Sequence, residues 1–366
     1  MKTANTEVGQ SPVPRLIINL AAIQRNYARL QNLAGKAEVA AVIKANAYGL
    51  GADEIAPALS KAGCRTFYTA NASEGAQLRQ TLTGQSANIY VFSGFWSSER
   101  EALKKHSLFP VINELSQLEE LRDMDPDIPF ALHFDTGINR LGLGASETEI
   151  LLANPDLLDG LDVRQIMSHL ACADEPEHPL NARQLIAFSR IRSAFPKIPA
   201  SFSNSAASLL GTEYHFDILR PGIALYGGNP TPNNENLFEP TVHIEAPILQ
   251  IRTLKPGDLV GYGASWQSER PHRLATLALG YADGIMRASQ QGGYGKIGTS
   301  NAPIIGRVSM DMLSVDISDI DPDIQVGDWV SFLGPDLDEC ANSASTISYE
   351  FLVRLGSRFL RLYRDN

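Results

Sequence analysis

The sequence predicts a two-domain chain of α/β plus β class: an N-terminal (β/α)8 barrel of the TIM type, then a C-terminal mainly β domain. Between residues 39 and 219, eight short apolar runs recur, and a helical pattern follows nearly every one. Strands alternating with helices make a parallel sheet, and eight such units close a barrel. From about residue 240 the helical period gives way to β-rich runs separated by Pro-Gly and Gly-Asp turns, which reads as a separate small domain. The alternative, a doubly wound open sheet, lacks its usual mark, since no G-x-G-x-x-G follows the first run.

Taken in order, residues 15–20 (RLIINL) read as a short strand, and Leu20, Ile23, Tyr27, Leu30 and Leu33 sit at helical spacing until Gly35 ends the pattern. The first barrel strand is 39–43, and its helix runs from 53 to 62. Strands at 66–69, 88–92, 108–112, 130–134, 161–167, 200–203 and 217–219 follow. Helices interleave them at 73–82, 97–106, 114–124, 146–153 and 181–194, with a short one at 205–210. The Pro- and Asn-rich stretch 230–240 reads as a linker. Beyond it, 242–254, 274–280, 303–317 and 327–334 are β-rich, and a helical pattern returns only at 347–360. The expected organisation is a flexible tail over 1–14, a barrel over 15–239 and a β domain over 240–366.

Composition narrows the function. A chain of 366 residues with 44% hydrophobic and 20% charged residues has the make-up of a globular protein with sizeable cores. The net charge of −10 argues against broad binding to nucleic acid or to anionic membranes. No stretch is long and apolar enough to span a membrane. Cys64, Cys172 and Cys340 are scattered and show no metal-ligand spacing, so no metal is expected. The first fourteen residues contain no apolar core of a secretory signal, and with the cysteine usage this sets the expectation of a cytoplasmic protein.

The residues that carry chemistry fall at the C-terminal ends of the barrel strands, the edge where this architecture works. Lys44 closes the apolar run 39–43 and precedes a loop containing Asn46, Tyr48 and Gly49. An amine among apolar neighbours loses its charge more readily and becomes a nucleophile able to form a Schiff base. A strand-end lysine reaching out to solvent is the other reading. Asn204 and Ser205 follow the seventh strand, and Gly222 and Ile223 follow the eighth. Loops after strands seven and eight form the usual phosphate site of such barrels. Taken singly, Ser205 reads as a helix N-cap and Gly222 as a turn glycine. Together, a Schiff-base lysine opposite a phosphate cradle points to pyridoxal phosphate. Arg220, at the last strand end, would hydrogen-bond the pyridine nitrogen without protonating it, which favours proton transfer over deeper carbanion chemistry.

The stretches 42–49 (VIKANAYG), 135–142 (DTGINRLG), 168–171 (SHLA), 204–205 (NS), 220–223 (RPGI), 261–263 (GYG), 280–284 (GYADG) and 306–311 (GRVSMD) resemble alanine racemase, a fold-type III pyridoxal phosphate enzyme, from about residue 15 to the C-terminus. The lysine motif is shared with other barrel-type enzymes of that cofactor; the tyrosine and Met-Asp motifs are not.

The resemblance implies a homodimeric isomerase that racemises L- and D-alanine, supplies D-alanine for peptidoglycan, and uses two bases. Lys44 would hold the cofactor as a Schiff base and then take the proton of the D-isomer. Tyr262, supplied across the dimer, would take that of the L-isomer. Tyrosine, of ordinary pKa about 10, needs cations to favour its phenolate, and Arg140, His169 and Arg220 are the candidates. Tyr48, Ser205, Gly222, Ile223 and Tyr349 would hold the phosphate, with His169, Asn204 and Arg220 also at the cofactor. Arg140 and the backbone at Met310 would hold the substrate carboxylate, and Tyr281 with Tyr349 would narrow the entrance. Two positions depart from the family pattern. His133 stands where many members have a carbamylated lysine that orients the arginine, so an anion or a carboxylate is expected to orient Arg140 instead. Ser309 stands where a cysteine often precedes the methionine. A racemase of broader range, a non-catalytic cofactor carrier and a decarboxylase are the competing readings. The β domain with Tyr262 disfavours the carrier, and Arg220 disfavours the decarboxylase.

Overall fold

The computed structural model describes residues 13–365, and most of the tail expected over 1–14 lies outside them. Two compact units divide the chain, one spanning Ala22–Glu239, the other combining the segment up to Ala21 with Pro240 onward.

The first unit is a nearly closed parallel barrel. Its strands are Glu38–Val39 and Ala41–Val42, Thr66–Thr69, Asn88–Val91, Leu108–Ile112, Phe130–His133, Val163–Met167, Ala200–Ser201 and Ile218–Leu219. The first expected strand is broken at Ala40. Its front half pairs with Ile218–Leu219 and its back half with Thr66–Thr69, so one run joins the two sides of the sheet. Strands enclosed on both faces need continuous apolar runs rather than alternation, and Phe67, Ile89, Val91, Val111, Ala131 and Ile166 are fully buried. Tyr68 stacks on Tyr90 and Phe92, with ring centroids 5.1 and 5.2 Å apart.

Helices cover the outside. Leu20–Ala34 ends at Gly35, whose φ of +63° reverses the chain. Ala72–Thr81 is capped by Asn71, whose side chain accepts the Glu74 N–H at 3.0 Å. The short helix expected at 205–210 is a single 3-10 turn, Ala207–Leu209, and a second turn, Ile223–Tyr226, follows the last strand.

The second unit is built on the long strand Val242–Leu254. Its first half pairs antiparallel with Arg15–Asn19 on one side and Trp329–Leu333 on the other. Its second half pairs with His272–Leu277, which in turn pairs with Leu313–Asp316. The strand Arg15–Asn19, grouped by sequence with the barrel, therefore lies in this sheet, with Leu360–Arg364 parallel beside it. The helix expected over 347–360 is shorter, Ser348–Val353. Gly356 then donates its N–H to Asp283 O at 3.0 Å, an approach so close that a Cβ there would lie 2.8 Å from Ala282 O, and the chain continues as a strand. A further helix, Leu337–Ser343, opens after Gly334-Pro335 with Asp338 and Glu339 in its first turn, where the helix dipole favours them. It is too short for its period to stand out in the sequence.

Candidate active site

The first strand ends at Val42, and Lys44 opens a turn, Lys44–Tyr48, wound the wrong way for L-residues. Ala45, Asn46, Ala47 and Tyr48 have φ of 52, 55, 54 and 55°. Left-handed backbone costs roughly 1–2 kcal/mol per residue, so its surroundings must hold it. The Ala47 N–H donates to Ile43 O at 2.8 Å and the Gly49 N–H to Ala45 O at 2.8 Å. The Ala45 N–H donates to Glu74 Oε1 at 2.9 Å, and Asn46 Oδ1 accepts from the Ala52 N–H at 2.8 Å. The turn lifts the Lys44 side chain over the barrel mouth, with Nζ 6.0 Å from the centre of the Phe92 ring. The side chain reaches solvent, yet the apolar wall beneath desolvates the ammonium and Arg140 repels it, lowering its pKa against the opposing pull of Glu74. An amine so placed is neutral over a wider pH range than a surface lysine.

On the facing strands, Ser205 is not the cap of its own helix. Asn204 takes that role, its Oδ1 accepting the Ala207 N–H at 2.9 Å. Ser205 Oγ instead accepts the N–H groups of Gly222 at 2.8 Å and Ala224 at 3.3 Å, tying the loop after the seventh strand to the turn after the eighth. Gly222 packs tightly on Tyr48: a Cβ there would lie 2.2 Å from the hydroxyl, so any side chain would force the tyrosine to move. The Tyr48 ring packs on Tyr226, centroids 4.8 Å apart. Ile223 is buried in the same turn. Lys44, Tyr48, Ser205, Gly222 and Ile223 are thus brought to one end of the barrel.

Arg220 lies under this mouth, almost wholly buried. Its guanidinium donates to Ser201 Oγ and, at 2.6 Å, to Ser168 O, and sits 5.9 Å from the Tyr68 ring. Desolvation lowers its pKa to about 10, which leaves it charged at neutral pH. His169 lies 3.5 Å from the Asn204 side chain through Nε2. Burial, then Arg220, Arg140, His133 and Lys44, push its pKa well below 6.5. It is therefore neutral, which corrects the expectation that counted it among the cations.

His133, at the end of its strand, is buried, and its Nδ1 is 2.8 Å from Asn113 Oδ1. An amide oxygen only accepts, so Nδ1 carries the proton. The opposite nitrogen, Nε2, is a buried acceptor with no partner. Burial and the charges of Arg220 and Arg140 push its pKa down to about 3. Arg140 stands exposed on the next loop, which Asp135 shapes by accepting the N–H groups of Gly137 and Ile138 at 2.8 and 3.0 Å.

Three supporting residues escape sequence reading. Gln184, on the helix Pro179–Ala194, donates to Thr136 Oγ1 at 3.1 Å and His169 O at 2.9 Å and accepts from the Ala171 N–H at 2.9 Å, locking two site loops together. Asn113 fixes the His133 tautomer, and Glu74 holds the Lys44 turn. Only a fully buried glutamine on a helix hints at such a role, and burial is not written in the residue itself.

Tyr262, Tyr281, Met310 and Tyr349 belong to the second unit. Tyr262 lies in a turn between Gly261 and Gly263, 71% exposed. A Cβ on either glycine would approach Arg307, on its backbone N at 3.2 Å or its Nη1 at 2.7 Å, so the turn lies against that residue. Tyr281 and Ala282 donate their N–H groups to Ser309 O and Met310 O, both at 3.0 Å. Tyr349 is half-buried on Ser348–Val353. No group of side chains able to hold a metal ion occurs among the described residues.

Residues 18–230 match the family described as alanine racemase, N-terminal domain, and residues 241–363 its C-terminal domain. A catabolic alanine racemase of Agrobacterium fabrum is 42% identical over 355 residues, covering 95% of this chain and 91% of that protein. An alanine racemase of Methylobacterium nodulans is 43% identical over 356 residues, covering 95% of each. Among solved structures, an alanine racemase from Bartonella henselae with covalently bound pyridoxal phosphate superposes with a TM-score of 0.91 at 37% identity, over 97% of this chain and 100% of that one. The biosynthetic alanine racemase of Pseudomonas aeruginosa superposes at 0.90 with 36% identity and the same coverage.

Proposed function

The chain belongs to the alanine racemase family, and from that premise we propose that it interconverts L- and D-alanine using pyridoxal phosphate and two protein bases, Lys44 and Tyr262. The observation that carries this reading is the barrel mouth itself. There a lysine of lowered pKa faces the Ser205, Gly222 and Tyr48 cradle, above a buried arginine that stays charged.

These residues fit the cofactor. The Gly222 and Ala224 N–H groups, held here by Ser205 Oγ, cluster with that hydroxyl as the donors a phosphate would draw on, and the missing Gly222 side chain is what lets the Tyr48 hydroxyl join them. Lys44 holds the cofactor through its amine, and Tyr48, Ser205, Gly222 and Ile223 hold its phosphate. Arg220 donates to the ring nitrogen and withholds a full proton from it. Asn204 and the neutral His169 flank the ring. Bound there, pyridoxal phosphate draws electrons from the substrate's α-carbon and so acidifies its proton. Lys44, its amine freed once the substrate's own amine takes its place, then removes or returns that proton on one face and Tyr262 on the other, which is what inversion requires.

Tyr262 reaches the substrate from a second copy of the chain. Its exposure supports this, as does that of Leu259, Tyr281, Met310 and Met312 on the same unit, an apolar set that a monomer would leave in water. Met310, with Arg140, holds the substrate carboxylate, and Tyr281 narrows the entrance. The three unpaired cysteines support a cytoplasmic setting.

The test is chiral analysis of product after the purified protein, loaded with cofactor, meets L-alanine, with L-serine in parallel. D-alanine should form much faster than D-serine, and Tyr262→Phe should lose on the order of a hundredfold or more in rate while still binding cofactor. No D-product from either substrate overturns the reading. We assign the D-alanine to peptidoglycan supply. A role in alanine breakdown is the second reading, because relatives in Agrobacterium and Mesorhizobium are named catabolic. A deletion strain that needs added D-alanine supports the first role; one that only fails to grow on alanine supports the second.

A further inference from the structure

Arg358 is remote in sequence from every motif discussed so far, yet it meets two of them. Its Nε and Nη2 donate to the two carboxylate oxygens of Asp283, each at 2.8 Å, a bidentate fork. Its Nη1 donates to Asp311 Oδ1 at 2.6 Å, and Nη2 lies 3.5 Å from Met310 O. One guanidinium therefore spans the segment that carries Tyr281 and the segment that carries Met310.

The two ends of this bridge differ. Asp283 is 2% exposed, and its Oδ2 also accepts the Gly280 N–H at 2.8 Å, so its charge is fixed inside the 280–284 turn. Asp311 is more than half exposed, and such a pair adds little by itself. The turn is pinned from both sides. A Cβ on Gly280 would lie 2.3 Å from Met310 O, and one on Gly284 2.5 Å from Arg354 O. Little slack remains between the Tyr281 turn, the loop at Met310 and the chain leading to Arg358. The Tyr281 and Ala282 N–H groups also bond Ser309 O and Met310 O directly, and the fork braces the same two segments from the side, so a change in the fork loads both at once.

We propose that Arg358 is a positioning residue that sets the spacing of Tyr281 against the Met310 backbone, and through it the size of substrate that is accepted. This rests on the roles given above to Tyr281 and Met310. Lysine keeps the charge but not the planar fork, so Arg358→Lys should meet Asp283 or Asp311 but not both in the same geometry. Arg358→Ala strands the Asp283 carboxylate without its partner.

The experiment measures kcat and KM for L-alanine and L-serine on cofactor-loaded wild type, Arg358→Lys, Arg358→Ala and Asp311→Asn. Arg358→Lys should raise the alanine KM by about tenfold and lower the alanine-to-serine ratio of kcat/KM by a similar factor, with cofactor occupancy unchanged. Asp311→Asn, which weakens the exposed end of the same bridge, should move both in the same direction by a smaller factor, about threefold, and an opposite shift counts against the proposal. A purely structural role would lower the active fraction, reducing kcat for both substrates alike and leaving KM and the ratio still; that result overturns the proposal. So does an Arg358→Lys enzyme within about twofold of wild type on every parameter. If Arg358→Ala fails to fold, the lysine variant decides. Wild type that racemises neither substrate removes the reading of the active site, an outcome distinct from any Arg358 result.

Discussion

The two units prepare for chemistry in opposite ways. In the barrel, the groups beneath the mouth are buried and already committed: Arg220 to Ser201 and Ser168, Ser205 to Gly222 and Ala224, His133 to Asn113. In the second unit, the side chains that matter stand in solvent, with Tyr262, Met310 and Tyr281 at 71, 53 and 44% exposure, while the backbone beneath Tyr281 and Met310 is tightly pinned. The barrel is preorganised by side-chain hydrogen bonds, the other unit by glycine-tight backbone packing. Burial fixes pKa values and charge; exposed side chains on a rigid frame suit a surface that another molecule completes. Substitutions among the buried barrel groups should therefore act first on the cofactor, and substitutions on the second unit on the substrate, on assembly and, at Tyr262, on one of the two proton transfers.

The largest effect belongs to Lys44. Lys44→Ala removes both the cofactor's attachment and one base, so racemisation should fall on the order of a thousandfold or more. The left-handed turn that carries it is held by Ile43, Glu74 and Asn46, none of which uses the Lys44 side chain. The variant should thus fold with a melting temperature close to wild type. Circular dichroism and a rate assay on the same sample check this, and a large loss of stability would show that Lys44 supports the turn rather than only occupying it.

Next comes Gly222→Ala. The added methyl would meet the Tyr48 hydroxyl at 2.2 Å and its ring carbon Cζ at 2.8 Å. Overpacking of this kind costs about 1–3 kcal/mol of folding stability, and because the strain is relieved by moving the residues proposed to hold the phosphate, cofactor affinity should fall as well. Tyr48→Phe in the same chain should recover part of the lost stability, since the hydroxyl clash goes and the ring-carbon clash stays, but not the affinity, since the hydroxyl is itself a proposed phosphate contact. Titration with pyridoxal phosphate, followed by its absorbance, measures the affinity. A Gly222→Ala protein that binds as wild type does would detach Gly222 and Tyr48 from the cradle.

Sequence reading reaches the barrel site because its residues come in dense local motifs. Lys44, Ser205, Arg220 and Gly222 each sit one to three positions beyond an apolar run, so predicting the strand predicts the placement. It fails where a contact joins distant segments of unremarkable composition. Arg15–Asn19 reads as the strand before the first barrel helix, and only pairing with Val242–Leu254 moves it to the other sheet. Gln184 and Arg358 look like ordinary helical and tail residues until the fold brings them to His169 and Asp283. The left-handed turn at 45–48 is invisible for a related reason: Ala, Asn, Ala and Tyr have no shared preference for it, and Glu74 must supply the hydrogen bond that keeps it.

The smallest and most discriminating effect concerns His133. In the folded protein it is neutral, its pKa pushed down to about 3, whereas in the unfolded chain it titrates near its ordinary 6.5. Below pH 6.5 the unfolded state therefore binds the extra proton, and stability present above that pH is lost as pH falls toward 3, at about 1.4 kcal/mol per pH unit for each such group. His169 adds a loss of the same sign. His133→Asn should flatten the fall of the melting temperature between pH 6.5 and 4.5 without abolishing it. The neutral ring also bears on its role. Nε2 presents a lone pair, which suits an N–H donor such as the Arg140 guanidinium and could itself take the orienting role for which an anion or a carboxylate was expected. Activity should accordingly be indifferent to added bicarbonate or chloride, and no carbamate mass should attach to a peptide containing residue 133. Activation by either anion would mean that His133 does not meet Arg140 directly, and that the barrel needs an added ion to complete its preorganised half.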